Sequence, residues 1–89
     1  MRAVLTVIGK DKVGIIAGVS QKLAQLEINI LDVSQTIMAD YFTMMMMLDI
    51  ATSKVEFDEI KQELGQLGVE LGVSIKVQRE EIFDTMHKL

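Results

Sequence analysis

The apolar residues of this chain switch between a repeat of two and a repeat of three to four, and the order of those switches admits few folds. Residues 2–9 alternate, with Ala3, Leu5 and Val7 set against Val4, Thr6 and Ile8, which predicts a strand apolar on both faces. Beyond a polar, turn-like stretch, Ile16, Val19, Leu23 and Leu26 fall at helical steps and predict a helix from Gly14 to about Leu26. Alternation returns from Ile28 to Ala39, where Leu31, Val33 and Ile37 share a face with Gln35. It resumes from Tyr41 to Ile50, after a turn at Asp40. Phe57, Ile60, Leu64, Leu67 and Leu71 then predict a second helix over about 55–72, with Thr52 or Ser53 as its N-cap. Gly65, Gly68 and Gly72 weaken its later half by about 1 kcal/mol each, so its end is expected near Leu67 with Gly68 as cap. Val73, Ile75 and Val77 mark a fourth strand, and Ile82, Phe83, Met86 and Leu89 a short helix in the tail, 79–89.

No linker or low-complexity stretch interrupts the chain, so residues 1–89 are expected to form a single domain. Strand, helix, strand, strand, helix, strand reads as two interleaved right-handed crossovers. The fold class is therefore α+β, a ferredoxin-like βαββαβ two-layer sandwich with a short C-terminal helix. The expected core includes Leu5, Val7, Ile16, Val19, Leu23, Leu31, Val33, Phe42, Met44, Met46, Ile60, Leu64, Ile75 and Val77. Two helices cover only one side of such a sheet. The other side carries Val4, Thr6, Ile8, Met38, Met45 and Met47, too apolar to stay bare in so small a chain. A second copy, the tail helix, or both are expected to cover it, which makes the chain a homodimer or a higher homo-oligomer.

Composition removes several classes of function. There is no cysteine, hence no disulfide, no thiolate nucleophile and no Cys-based metal site. A net charge of −4 with scattered Lys and Arg argues against nucleic acid as partner. No apolar run spans a bilayer and no signal-peptide pattern opens the chain, so a cytoplasmic protein without membrane association is expected. Met44, Met45, Met46 and Met47 would suit Cu(I), but neighbours in a strand point to opposite faces and cannot share one ion. Packing explains them, and no metal site is expected. His87 is the only histidine and reads as a surface residue of the tail; Glu80–Glu81 reads as a solvated helix start. Gly9, Gly14 and Gly18 match neither a dinucleotide fingerprint nor a P-loop, so no cofactor is expected either.

The stretch Val7–Ile16, with Asp11 and Gly14 three apart at the end of a strand and aliphatics opening the helix, resembles the start of an ACT domain. Asn29–Ile30 after the first helix and Phe42–Thr43–Met44 in the third strand match the same family, so the resemblance covers nearly the whole chain. It is most similar to small stand-alone ACT proteins, related to the ACT domains of the glycine-cleavage-system transcriptional regulator. Two positions depart from the family pattern. Val13 stands where many members have Pro, and Glu27 where many have Gly, which adopts φ > 0 at lower cost.

The resemblance implies a non-catalytic regulatory module that binds an amino acid or similar metabolite where the first loop meets a neighbouring subunit. The residues it points to are Asp11, Lys12, Val13, Gly14, Ile15, Asn29 and Ile30, with no catalytic residue among them. The start of the first helix offers N–H groups to a carboxylate, Asp11 an acceptor for an ammonium, and Asn29 both donor and acceptor. A purely structural reading stands beside this one. In it Asp11 caps the helix, Gly14 permits tight packing and Asn29 shapes a turn. A protein–protein adaptor without ligand is the alternative function. An acylphosphatase-like enzyme is the least favoured, since the first loop holds Lys10 and Lys12 where that chemistry wants Arg.

Overall fold

The computed structural model describes residues 1–10 and 13–82. Its elements are β1 (Arg2–Lys10), α1 (Ile15–Gln25), β2 (Asn29–Met38), β3 (Tyr41–Asp49), α2 (Phe57–Leu71) and β4 (Ser74–Arg79). The strands form one sheet in the order β2-β3-β1-β4, every neighbouring pair antiparallel. Residues 80–82 begin a helical turn beyond β4, tied to the sheet by an Arg2–Glu80 ion pair of 2.7 Å. The rest of the expected tail helix, with Phe83, Met86 and His87, lies outside the described residues.

Cross-strand pairing sets the two faces. Ala3 opposite Leu48, Leu5 opposite Met46 and Val7 opposite Met44 turn towards the helices and are all but completely buried. Ile15, Val19 and Leu23 of α1 and Ile60 and Leu64 of α2 close the core from above. Burying each such side chain contributes about 1.5–3 kcal/mol. The methionine run divides as its alternation demands: Met44 and Met46 lie in the core, while Met45 and Met47 lie on the opposite face.

Several expectations are corrected. Ile16 is exposed and Ile15 takes its place in the core. At about 100° per residue, Ile15 falls within 40° of Val19, whereas Ile16 falls roughly 60° away on the other side and leaves the buried stripe. Leu31 and Val33 are also exposed, and Ile75 is only half-buried. β2 is an edge strand, and Ile30 is its last residue packed on the core. Past Ile30 the register slips by one residue, because Leu31 is bulged out between Ile30, opposite Leu48, and Asp32, opposite Met47. Val33 and Ile37 still alternate onto the helix side, opposite Met46 and Phe42, but neither packs against the core that α1 and α2 close.

The second helix runs to Leu71, four residues beyond its expected end, and Gly72 closes it in the left-handed conformation at φ 73°. Gly68 is needed for a different reason. A Cβ there would stand 2.8 Å from the Val73 carbonyl oxygen, so the glycine lets the chain fold back against the helix. Nor does Thr52 or Ser53 cap α2. Glu56 occupies the N-cap without a side-chain hydrogen bond. The two hydroxyls instead donate to the carbonyls of Glu27 (2.7 Å) and Leu26 (2.7 Å) at the far end of α1.

Candidate functional site

Gly14 is the residue before the first turn of α1, at φ 93°. Nothing lies within 4 Å of where its Cβ would be, so packing does not require glycine; the backbone conformation does. Among the described residues no side chain caps this helix start, and its first turn carries no acidic residue. The amides of Ile15, Ile16 and Ala17 precede the first intrahelical bond, which Gly18 donates to the Gly14 carbonyl at 2.8 Å. Val13 is fully exposed and Gly14 exposed beside it, whereas the Ile15 side chain is buried in the core. The sequence-predicted Asp11 and Lys12 lie outside the described residues.

Asn29 is the first residue of β2, exposed, and opposite Asp49 in the ladder. Its side chain makes no hydrogen bond among the described residues. Ile30 follows it, half-buried against the core. The turn that presents Asn29 is held by Glu27 at φ 59°, the left-handed region that the departure from glycine makes costly. The Ile28 amide donates to the Leu23 carbonyl at 2.9 Å and the Glu27 amide to the Ala24 carbonyl at 3.0 Å. Together with the Thr52 and Ser53 hydroxyls they fix the turn. Those two residues position Asn29 and were missed from sequence. The available signal was a Thr–Ser pair separated from the next apolar repeat by Lys54–Val55–Glu56, too early to cap α2.

Within one chain these groups do not come together. β1 runs from Arg2, level with Asp49 and Asn29, to Lys10, level with Tyr41 and Met38. Gly14 follows the Lys10 end, so α1 separates it from Asn29 by its whole length, about 16 Å for 11 residues. Among the described residues, Val13 and Gly14 thus stand at one end of α1 and Asn29 beyond the other. Among the described residues no group of three or more His, Cys, Asp or Glu is placed to hold a metal ion. No helix among them is long and apolar enough to cross a membrane.

The family model described as "ACT domain" matches residues 2–78. A UPF0237 protein of Listeria innocua is 71% identical over 89 residues, the full length of both chains. Among solved structures, an ACT domain protein from Streptococcus pneumoniae superimposes with a TM-score of 0.83 at 45% identity, covering 94% of each chain. A protein assigned as a glycine cleavage system transcriptional repressor superimposes with a TM-score of 0.74 at 24% identity. That match covers 88% of this chain and 44% of the other, and at that identity it speaks for the fold alone.

Proposed function

The chain belongs to the ACT-domain family, and from that membership we propose that it is a non-catalytic regulatory module binding an amino acid or similar small metabolite between two copies of itself. The observation that carries this reading is the separation of Gly14 and Asn29 to opposite ends of α1, each exposed and without a side-chain partner among the described residues. Half a site at each end becomes two whole sites when two chains are related by a two-fold axis. Pairing β2 antiparallel to β2 of a second copy does this, bringing Asn29 of one beside the Gly14 end of the other. The outer edge of β2 suits such pairing. It is ten residues long and contains neither Pro nor Lys, the residues that ordinarily discourage edge-to-edge association.

In this site the free amides at the start of α1 receive the ligand carboxylate, with Val13 and Ile15 supplying backbone and Lys12 beside them. Asp11 takes the ammonium, Asn29 from the second copy sets orientation, and Ile30 backs it. A cysteine-free chain fits the cytoplasm, where such metabolites are sensed.

Calorimetric titration with a panel of free amino acids tests the proposal. Wild type binds one of them. Gly14→Val abolishes binding, and Asn29→Ala weakens it about three- to tenfold, the loss of one directional hydrogen bond. Mixing the two variants in equal amounts restores about a quarter of the wild-type sites: about half of the dimers are then heterodimers, and in each one copy's Gly14 meets the other's Asn29 at one of the two sites. No heat with any amino acid retires the reading in favour of a protein adaptor. Binding that survives both substitutions places the ligand elsewhere.

A further inference from the structure

We infer that the hollow between the start of α2 and the end of β4 is a second ligand site, one that takes the phosphate group of a small phosphate monoester. The inference is independent of the amino-acid reading. It uses neither Gly14 nor Asn29 and lies at the edge of the sheet away from β2.

The sequence sets the walls of this hollow. Phe57 and Lys61 stand four apart on α2, which puts them on one face of the helix. Val77 of β4 is buried in the core, and Arg79, two residues on, alternates onto the same side and meets that face. Arg79 Cζ lies 5.0 Å from the centre of the Phe57 ring, and Lys61 Nζ lies 5.9 Å from it. With Asp58 and Ile82 they line a space of about 260 Å³.

The state of the two cations decides the chemistry. In a chain of net charge −4, Arg2, Lys22 and Lys54 each hold a carboxylate. Lys61 and Arg79 make neither an ion pair nor a hydrogen bond among the described residues. The ring holds both heads in place. Unlike a carboxylate, it leaves their N–H donors for another acceptor, a fork on Arg79 and an ammonium on Lys61. Asp58 lines the same space but pairs with neither. The first turn of α2 carries Asp58 and Glu59, so the cations and not the helix amides supply the attraction. Two like charges beside one ring repel each other, and an anion between them removes that repulsion. A carboxylate carries a single charge, which the Arg79 fork satisfies alone. A phosphate monoester carries close to two charges at neutral pH and three terminal oxygens, enough for the fork and the lysine together.

The volume limits the remainder of the ligand. It falls just below the roughly 300–1,000 Å³ of drug-sized sites, which leaves room for a phosphate and a few carbon atoms. Ile82, 50% exposed, and the Phe57 ring give those carbons an apolar wall, and Asp58 accepts from a hydroxyl on them.

Amide shifts of the full chain in low salt, followed by NMR against glycerol 3-phosphate, inorganic phosphate and acetate, test the site. Glycerol 3-phosphate gives saturable shifts at Phe57, Lys61 and Arg79. Inorganic phosphate binds the same residues about threefold more weakly, and acetate about tenfold more weakly. Lys61→Gln and Arg79→Gln each weaken glycerol 3-phosphate about tenfold, with circular dichroism confirming the fold. If Arg79→Gln does not fold, Arg79→Lys keeps the charge, loses the fork and weakens binding about threefold. Lys76→Gln removes the same charge from the other face of β4 and leaves the affinity within about twofold. No saturable shift with either phosphate overturns the site. Equal losses from Lys61→Gln and Lys76→Gln overturn it too, since only net charge is then felt. Acetate as tight as inorganic phosphate overturns the choice of phosphate. Equal affinity for the two phosphates overturns the ester and leaves free phosphate as the ligand.

Discussion

The two helices end in the same hydrogen-bond pattern built from different residues. At the end of α2, Gly72 takes the left-handed conformation, and the Val73 amide reaches back to the Gly68 carbonyl at 2.9 Å. At the end of α1, Glu27 takes it, and the Ile28 amide reaches the Leu23 carbonyl at 2.9 Å. Glycine adopts that conformation without steric cost, whereas a residue with a Cβ is strained by about 1–2 kcal/mol. The α2 turn is therefore complete in itself. The α1 turn draws on the Thr52 and Ser53 hydroxyls, which arrive from the segment after β3. A local defect in one turn is thus offset by a contact that ties distant parts of the chain together, and it does so immediately before Asn29.

Leu23 and Gly68 hold equivalent places in the two motifs, and opposite changes of volume break them. Leu23→Ala is expected to cost about 2–5 kcal/mol in chemical denaturation, because the side chain is fully buried among α1, α2 and the sheet. A loss under 0.5 kcal/mol would mean that α1 does not face the core. Gly68→Ala adds one methyl group where only the Val73 backbone and Ile75 stand, and should cost about 1–3 kcal/mol. Stabilisation by this alanine would show that the close crossing with Val73 does not exist in solution.

Smaller effects sharpen the contrast. Ser53→Ala removes the bond to the Leu26 carbonyl and should cost about 0.5–1.5 kcal/mol. Hydrogen exchange at the Ile28 amide should accelerate in this variant while that of Val73 stays unchanged; equal acceleration at both would deny the separate clamp. Glu27→Gly relieves the left-handed strain but adds freedom to the unfolded chain, for a net gain of about 0.5 kcal/mol. The ion pair it removes, Lys54 to Glu27 at 3.8 Å on the surface, contributes little. A destabilised Glu27→Gly would mean that this carboxylate does more than stand in for glycine.

What could be read from sequence follows from which interactions are local. Strand alternation and helical steps placed every element, because burial of one face imposes a period that neighbouring residues display. The helix-free sheet face was legible for the same reason, except that Val4 on it is 4% exposed and so buried rather than bare. The end of α2 was not. Gly68 and Gly72 look alike in sequence, and only the return of the chain onto the helix tells which one packs and which one turns. The Thr52–Ser53 clamp was hidden because its partners lie 25 and 27 residues earlier. The exposure of Val33 depended on where the helix layer ends over an edge strand, which no repeat records. As for the site, the residues were nameable by resemblance, but their division between the two ends of α1 required the register of β1, β2 and β3.

The bulge in β2 means that this strand has one residue more than its ladder uses. Ile30 and Asp32 pair with consecutive residues of β3, and the Asp32 carboxylate props the extra turn of backbone by accepting from the Val33 amide at 2.9 Å. Elsewhere in the sheet, removing a residue would send every later side chain of its strand to the wrong face. Removing Leu31 would not, since Ile30 would stay on the helix side and Asp32 on the open side. Here alone among these paired strands the chain can shorten by one and keep its inside and outside, so length variation in the sheet is expected to concentrate at this position.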